Sequence, residues 1–192
     1  MTDTLTAPEG DYGVLTDATT LKIQRVLPGP IERVWAYLTE SEKRGTWFAS
    51  GPMELRVGGK AHFLFDHASL SPTKEPVPAR FADKAGGVRM YSEITRCEPP
   101  HVLAYTFGRN KFERGPSEDS EVTFELSSQG DKVRLLLTHR RLKDRKALLG
   151  VAGGWHTHLA IMADNLEGRV PRPFWSSHAR IEKEYEERLK DL

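Results

Sequence analysis

The stretch Ser92-Glu-Ile-Thr-Arg-Cys-Glu-Pro-Pro-His-Val-Leu-Ala-Tyr-Thr-Phe107 constrains the fold more than any other part of the chain. Two runs suited to strands flank a break at Glu98-Pro99-Pro100-His101. Proline lacks the N–H that a sheet ladder needs and restricts the residue before it, so the pair must end one strand before the next begins. Beyond the break, Leu103, Tyr105 and Phe107 fall on one face at period two. This predicts an antiparallel hairpin with one apolar side, the kind of wall that a curved sheet places around a cavity.

The other periodicities supply the order of elements. Tyr12 to Leu15 reads as a short strand that turns at Thr16-Asp-Ala18. Leu21 to Leu27 alternates apolar and polar positions, with Leu21, Ile23 and Leu27 on one face, and Pro28-Gly-Pro30 stops it. Pro30 suits the first turn of a helix, where its missing N–H is not needed, and Ile31, Val34, Trp35 and Leu38 then form one apolar stripe. Thr39 or Ser41 can cap a second short helix that runs to Trp47. Met53 to Val57 reads as a strand, joined through Gly58-Gly59 to another over Lys60 to Asp66, where Ala61, Phe63 and Phe65 share a face.

Residues 67–87 contain Pro72, Pro76 and Pro78 and read as a long surface loop or insertion, a kind of segment that is often either mobile or a functional lid. Gly108 to Glu118 reads as a polar loop. Two more strands follow, aligning Val122, Phe124 and Leu126, then Val133, Leu135, Leu137 and His139. A helix from Gly154 to Glu167 carries the stripe Trp155, Leu159, Met162 and Leu166, with His158 at its edge. After an extended Pro171 to Trp175, Ser176 or Ser177 caps a helix to Lys190. Its thin edge of Ile181, Tyr185 and Leu189 fits either a solvated helix lying on its own domain or a homodimer contact.

At 192 residues the chain fits one domain, divided as a flexible lead over 1–11, a folded domain over 12–170, and a C-terminal extended segment and helix over 171–192. Lys and Arg number 28 against 27 Asp and Glu, so no global field favours nucleic acid. The basic run Arg140 to Lys146 lacks stacking aromatics and reads as a solvated loop. No run approaches ~20 apolar residues, so no membrane span is expected. Met1 to Glu9 lacks the basic and apolar regions of a secretory signal, and the single Cys97 excludes an internal disulfide. Both point to a cytoplasmic location.

Pro28-Gly-Pro-Ile-Glu-Arg-Val-Trp-Ala-Tyr-Leu38, Trp47-Phe48, Gly58-Gly59-Lys60, Glu98-Pro99-Pro100, Leu103-Ala-Tyr-Thr-Phe107, Thr138-His139 and Gly154-Trp155-His-Thr-His-Leu159 occur in that sequence. Together they resemble the bacterial activator of heat-shock protein 90 ATPase homologue-like family, within the SRPBCC (START-like) superfamily, over residues 20–168. The resemblance implies an α+β helix-grip fold: a curved antiparallel sheet wrapped around a long C-terminal helix, with a hydrophobic cavity between. It does not imply chaperone activation, because one fold hosts many unrelated functions.

On that arrangement the inner sheet face carries Phe63, Phe65, Tyr105, Phe107, Leu135, Leu137 and His139, and Trp155, His158 and Met162 approach from the helix. With Trp47, all of these except Leu135 are the candidate ligand-binding residues. Apolar area supplies affinity and a few polar tips supply orientation, although the same side chains can simply fill a core. His139 and His158 are the polar tips, able to orient a ligand or move a proton. No nucleophile or acid–base pair accompanies them, so no catalytic residue is assigned. No metal or other cofactor is expected: His156 and His158 stand at i, i+2 on a helix and do not face each other, and no phosphate loop is present. The expected function is binding of a hydrophobic or amphipathic small molecule in that cavity, non-catalytic or of unknown activity. The alternatives are a cyclase/aromatase- or hydrolase-type enzyme with His139 as general base, and a co-chaperone-like protein-interaction module with a chaperone partner.

Overall fold

In a computed structural model of the protein, residues 12–84, 86–107 and 120–190 are described. The expected lead over 1–11 and the polar loop at 108–118 lie outside them. The elements are β1 (Val14–Asp17), β2 (Thr20–Pro28), α1 (Ile31–Thr39), α2 (Ser41–Gly45), β3 (Lys60–Phe65), β4 (Val88–Glu98), β5 (Val102–Phe107), β6 (Ser120–Gln129), β7 (Lys132–Arg140), α3 (Arg145–Leu166) and α4 (Phe174–Arg188). The strands form one antiparallel sheet in the order β1-β2-β7-β6-β5-β4-β3. Strands β3 to β7 follow one another as a meander, and β2 returns to pair with β7. The curved sheet and the long α3 are the expected helix-grip arrangement.

The two-residue alternation carries the core. Val133, Leu135, Leu137 and His139 of β7 are all buried, as are Leu21, Ile23 and Leu27 on β2 and Val122, Phe124 and Leu126 on β6. The register sets Ile23 opposite Leu137 and Leu137 opposite Phe124, so the apolar side chains of three strands meet on one face. The proline break does what its chemistry requires. Strand β4 ends at Glu98, the His101 N–H donates to the Glu98 carbonyl at 2.7 Å, and β5 begins at Val102. Leu103 and Tyr105 are then buried on the inner face.

Helices α1 and α3 close that face with Ile31, Val34 and Leu38 on one side and Leu148, Ala152, Trp155, Leu159, Met162 and Leu166 on the other. Arg44 anchors the short helix α2. Buried among apolar side chains, it donates to the carbonyls of Thr39 and Ala49 at 2.8 and 3.0 Å, and its guanidinium lies 5.2 Å from the Phe63 ring centroid.

Three elements differ from their sequence expectation. Residues 53–57 form no strand beyond the isolated bridge of Met53 to Ala61, and Leu55 and Val57 are exposed. Pro52 has no N–H to offer, and the chain folds back so closely that a Cβ on Gly59 would stand 2.3 Å from the Glu54 carbonyl oxygen. Helix α3 begins at Arg145, not near Gly154, with Asp144 capping it by accepting from the Ala147 N–H at 2.7 Å. Gly150, Gly153 and Gly154 hid that first half, because glycine disfavours helix. Helix α4 begins at Phe174, so Phe174 and Trp175 form its first turn and are not an extended lead.

Helix α4 lies on α3, with Ile181 and Tyr185 buried and the Tyr185 hydroxyl accepting from the Gly13 N–H at 2.7 Å. Its apolar edge is thus used within the chain. A carboxylate latch fixes the turn between the two helices. Asp164, on the last turn of α3, accepts from Arg172 Nε at 2.7 Å and from Arg169 Nη2 at 2.8 Å. Desolvation raises its pKa, but the hydrogen bonds from Arg172 and Arg169 outweigh that and hold it down at about 2. A depressed carboxylate contributes stability above its ordinary value of 3.8 that is lost as pH falls toward 2. Asp164→Asn should destabilise the protein by roughly 1–3 kcal/mol at pH 7 and speed amide exchange in α4. A urea titration and hydrogen exchange check it, and unchanged α4 protection would count against the latch.

Candidate functional site

Among the described residues, one end of the sheet–helix interface is left open. A cavity of about 450 Å³ lies there, within the range of small-molecule pockets. Its sheet side is Phe65 of β3, Val88 and Met90 of β4 and Phe107 of β5. Its helix side is Gly150, Val151, Gly154, Trp155 and His158 of α3. Phe174, Trp175 and His178 of α4 form a third wall, and Phe48, after α2, completes the inner end.

The fourth wall comes from the segment after β3. His67 stands at the start of a 3-10 turn over His67–Ser69, and Phe81 lies within another over Ala79–Lys84. This segment is fastened to the C-terminal part of the chain. Ser71 donates to the Pro171 carbonyl at 2.8 Å, Glu75 accepts from the Ser176 N–H at 3.1 Å, and Arg80 pairs with Glu182. Phe81 stacks on Trp175 with ring centroids 5.3 Å apart. The segment that reads in sequence as a surface loop or insertion is therefore a wall held on α4.

Of the ten candidate residues, Phe65, Phe107, Trp155 and His158 line this cavity. Trp47, Phe63, Tyr105, Leu137, His139 and Met162 are buried in the packed core beside it. Trp47 donates its indole N–H to the Tyr37 carbonyl at 2.8 Å, and burial pushes the Tyr105 phenol well above its ordinary pKa. The sequence reading missed Phe48, His67, Phe81, Phe174, Trp175 and His178. Phe48 sat beside the candidate Trp47. The others lay in segments read as loop, extended chain and a separate helix, with no periodicity to mark an inner face.

His139 holds the tryptophan in place. Trp155 donates its indole N–H to His139 Nδ1 at 2.9 Å, so Nδ1 is the acceptor and the neutral ring carries its proton on Nε2. Nε2 then donates to Ser120 Oγ at 2.8 Å, and Ser120 donates to the Phe107 carbonyl at 2.9 Å. Burial, with Arg141 adding to it, lowers the His139 pKa to about 3. A general base needs a lone pair aimed at the substrate, and that of His139 is committed to Trp155.

His158 is arranged the other way round. Its Nδ1 lies 2.7 Å from the Trp47 carbonyl, which can only accept, so the proton is on Nδ1. Burial, and then the neighbouring His67, lower its pKa to about 3 against the opposing pull of that carbonyl. Among the described residues, no group of three or more His, Cys, Asp or Glu is placed to hold a metal ion. On the outer face of the sheet, a second cleft is lined by Lys22, Arg96, Glu121, Glu125, Arg140 and threonines. That surface is lined mainly by charged and polar side chains. Among the described residues, no helix is long and apolar enough to cross a membrane.

His139 and His158 are both held neutral by the fold, so each contributes stability present above its ordinary value of 6.5 and lost as pH falls toward 3. The urea midpoint should therefore decline between pH 7 and pH 5. His139→Leu should cost roughly 1–3 kcal/mol at pH 7 by stranding the Trp155 N–H, and should make the decline shallower. An equally steep decline in the variant would place the acid sensitivity elsewhere.

The comparisons with known proteins agree with this architecture. Residues 28–167 match the family described as Activator of Hsp90 ATPase homolog 1-like protein. A Bordetella parapertussis protein solved by solution NMR is 44% identical, with a TM-score of 0.75 over 96% of this chain and 95% of that one. CalU16 from Micromonospora echinospora is 24% identical, with a TM-score of 0.59 over 86% and 82%. An Enterococcus faecalis conserved protein of unknown function is 19% identical, with a TM-score of 0.67 over 95% and 91%. The last two carry the fold alone. None of the curated proteins matches the sequence. By the family match across most of its length and the close Bordetella relative, the chain belongs to the Activator of Hsp90 ATPase homolog 1-like family.

Proposed function

We propose that this protein binds a small apolar or amphipathic molecule in the cavity between β3, β4, α3 and α4, without performing chemistry on it. The observation that carries the reading is the surface that α3 turns toward the cavity. Gly150, Gly154 and His158 stand at i, i+4 and i+8 and form one row along that face. A Cβ added at Gly150 or at Gly154 would meet nothing within 4 Å.

Glycine in a helix interior costs roughly 0.5–1 kcal/mol relative to alanine. Here that cost is not explained by close packing, because nothing approaches. It is explained by room: two missing side chains leave a space that alanine or leucine would fill. Around the gap, Phe65, Phe107, Trp155 and His158 supply apolar faces and one imidazole, the composition that a small-molecule site needs. Trp47, Phe63, Tyr105, Leu137, His139 and Met162 act behind them by holding the walls.

N-phenylnaphthylamine, a neutral fluorescent probe, tests the reading. The protein should bind it, and Gly154→Leu should weaken binding at least roughly 10-fold by filling the space. Gly154→Ala should raise stability by about 0.5–1 kcal/mol, which shows that the backbone tolerates a side chain there. Unchanged probe affinity in a folded Gly154→Leu protein would overturn the proposal.

A further inference from the structure

We infer that the cavity selects an aromatic molecule bearing a hydroxyl group, and that this hydroxyl donates its hydrogen bond to Nε2 of His158. The inference rests on the binding reading above and adds the chemistry of the ligand.

With the proton fixed on Nδ1 by the Trp47 carbonyl, the neutral ring presents only a lone pair at Nε2. No donor among the described residues reaches that nitrogen. The side chain is 5% exposed and lies on the cavity wall. A lone pair on the wall of an apolar space gains a hydrogen bond from any donor that enters it. The groups around it are flat and apolar: the Phe48 and Phe174 ring centroids lie 5.1 and 4.9 Å from the imidazole centroid. Aromatic faces of this kind favour an aromatic partner, stacked or edge-on.

Charge narrows the class further. Among the described residues, no carboxylate lines the cavity to balance a cation. Among the described lining residues the one Arg or Lys is Arg89, which is exposed beside the buried Met90 of β4. His67 and His178 are the remaining titratable groups among the described residues of the walls. Burial keeps His158 an acceptor rather than a donor down to about pH 3, so an anion would meet a lone pair. A neutral hydroxyl supplies a donor to Nε2 without bringing charge into the cavity.

Naphthol and its methyl ether share a ring system and differ in the O–H donor. Calorimetric titration of the full chain should find naphthol bound more tightly by roughly 3- to 10-fold, the worth of one neutral hydrogen bond. In His158→Phe the two affinities should become equal, while that of the ether is retained. Equal affinities in the unsubstituted protein, or a preference that survives in the variant, overturn the hydroxyl assignment and leave the cavity reading standing. Failure of both compounds to bind overturns the cavity reading itself.

His158→Phe also removes the bond to Trp47 and puts folding at risk, so a second readout uses the unsubstituted protein. In a nitrogen NMR spectrum of labelled histidine, the Nε2 resonance of His158 should move with naphthol and stay with its ether. Movement with both, or with neither, overturns the assignment.

Discussion

The hydrogen bond from Trp155 to His139 is the contact on which the rest of the structure depends. An indole N–H in the centre of a core must find an acceptor, and the apolar face of the sheet has almost none to offer. His139 provides one at 2.9 Å, because its own proton is drawn off toward Ser120. The relay continues to the Phe107 carbonyl, so one chain of bonds joins α3 to β7, β6 and β5. The Trp155 ring then stacks on Phe48 with centroids 4.9 Å apart and meets Phe124 edge-on. With Trp155 pinned, the rotation of α3 is set, and that rotation decides which residues face the cavity.

The cavity follows from a conflict between local and tertiary preference. By propensity alone, three glycines within five residues should end a helix. Helix α3 runs through them because its buried residues, Leu148 before them, Ala152 among them and Trp155 and Leu159 after, are held by packing against the rest of the fold. Packing overrides propensity, and the bare row left by Gly150 and Gly154 becomes a wall. The opposite wall needs distant parts of the chain: Phe81 against Trp175, and Ser71 bonded to Pro171. Helix α4 lies beyond the residues 28–167 that match the family model.

Much of the sheet was legible in the sequence, because a strand's alternation depends only on neighbours two residues away. Val133, Leu135, Leu137 and His139 share a buried face as their spacing predicts, and so do Leu103 and Tyr105 after the proline break. The same rule misread residues 53–57, whose alternation of Met53, Leu55 and Val57 imitates a strand while Leu55 and Val57 stay exposed. The first half of α3 was hidden by its glycines. The cavity was half legible: Phe65, Phe107, Trp155 and His158 stood on elements with clear faces, whereas His67 and Phe81 lay in a proline-rich segment with no period at all.

Sequence by itself determined the strand parities, the hairpin at Pro99-Pro100 and the order of elements that marks the helix-grip fold, because each rests on local stereochemistry. Only the tertiary structure decided which aromatic residues line a space and which fill the core. Phe63 and Phe65 share a strand face, yet Phe65 borders the cavity and Phe63 packs under the guanidinium of Arg44. It also decided that His139 and His158, alike in burial, present opposite nitrogens. One imidazole accepts from an indole and the other donates to a carbonyl, and those partners lie 16 and 111 residues away along the chain. No local pattern records contacts made over such distances; folding brings the partners together and so assigns each proton.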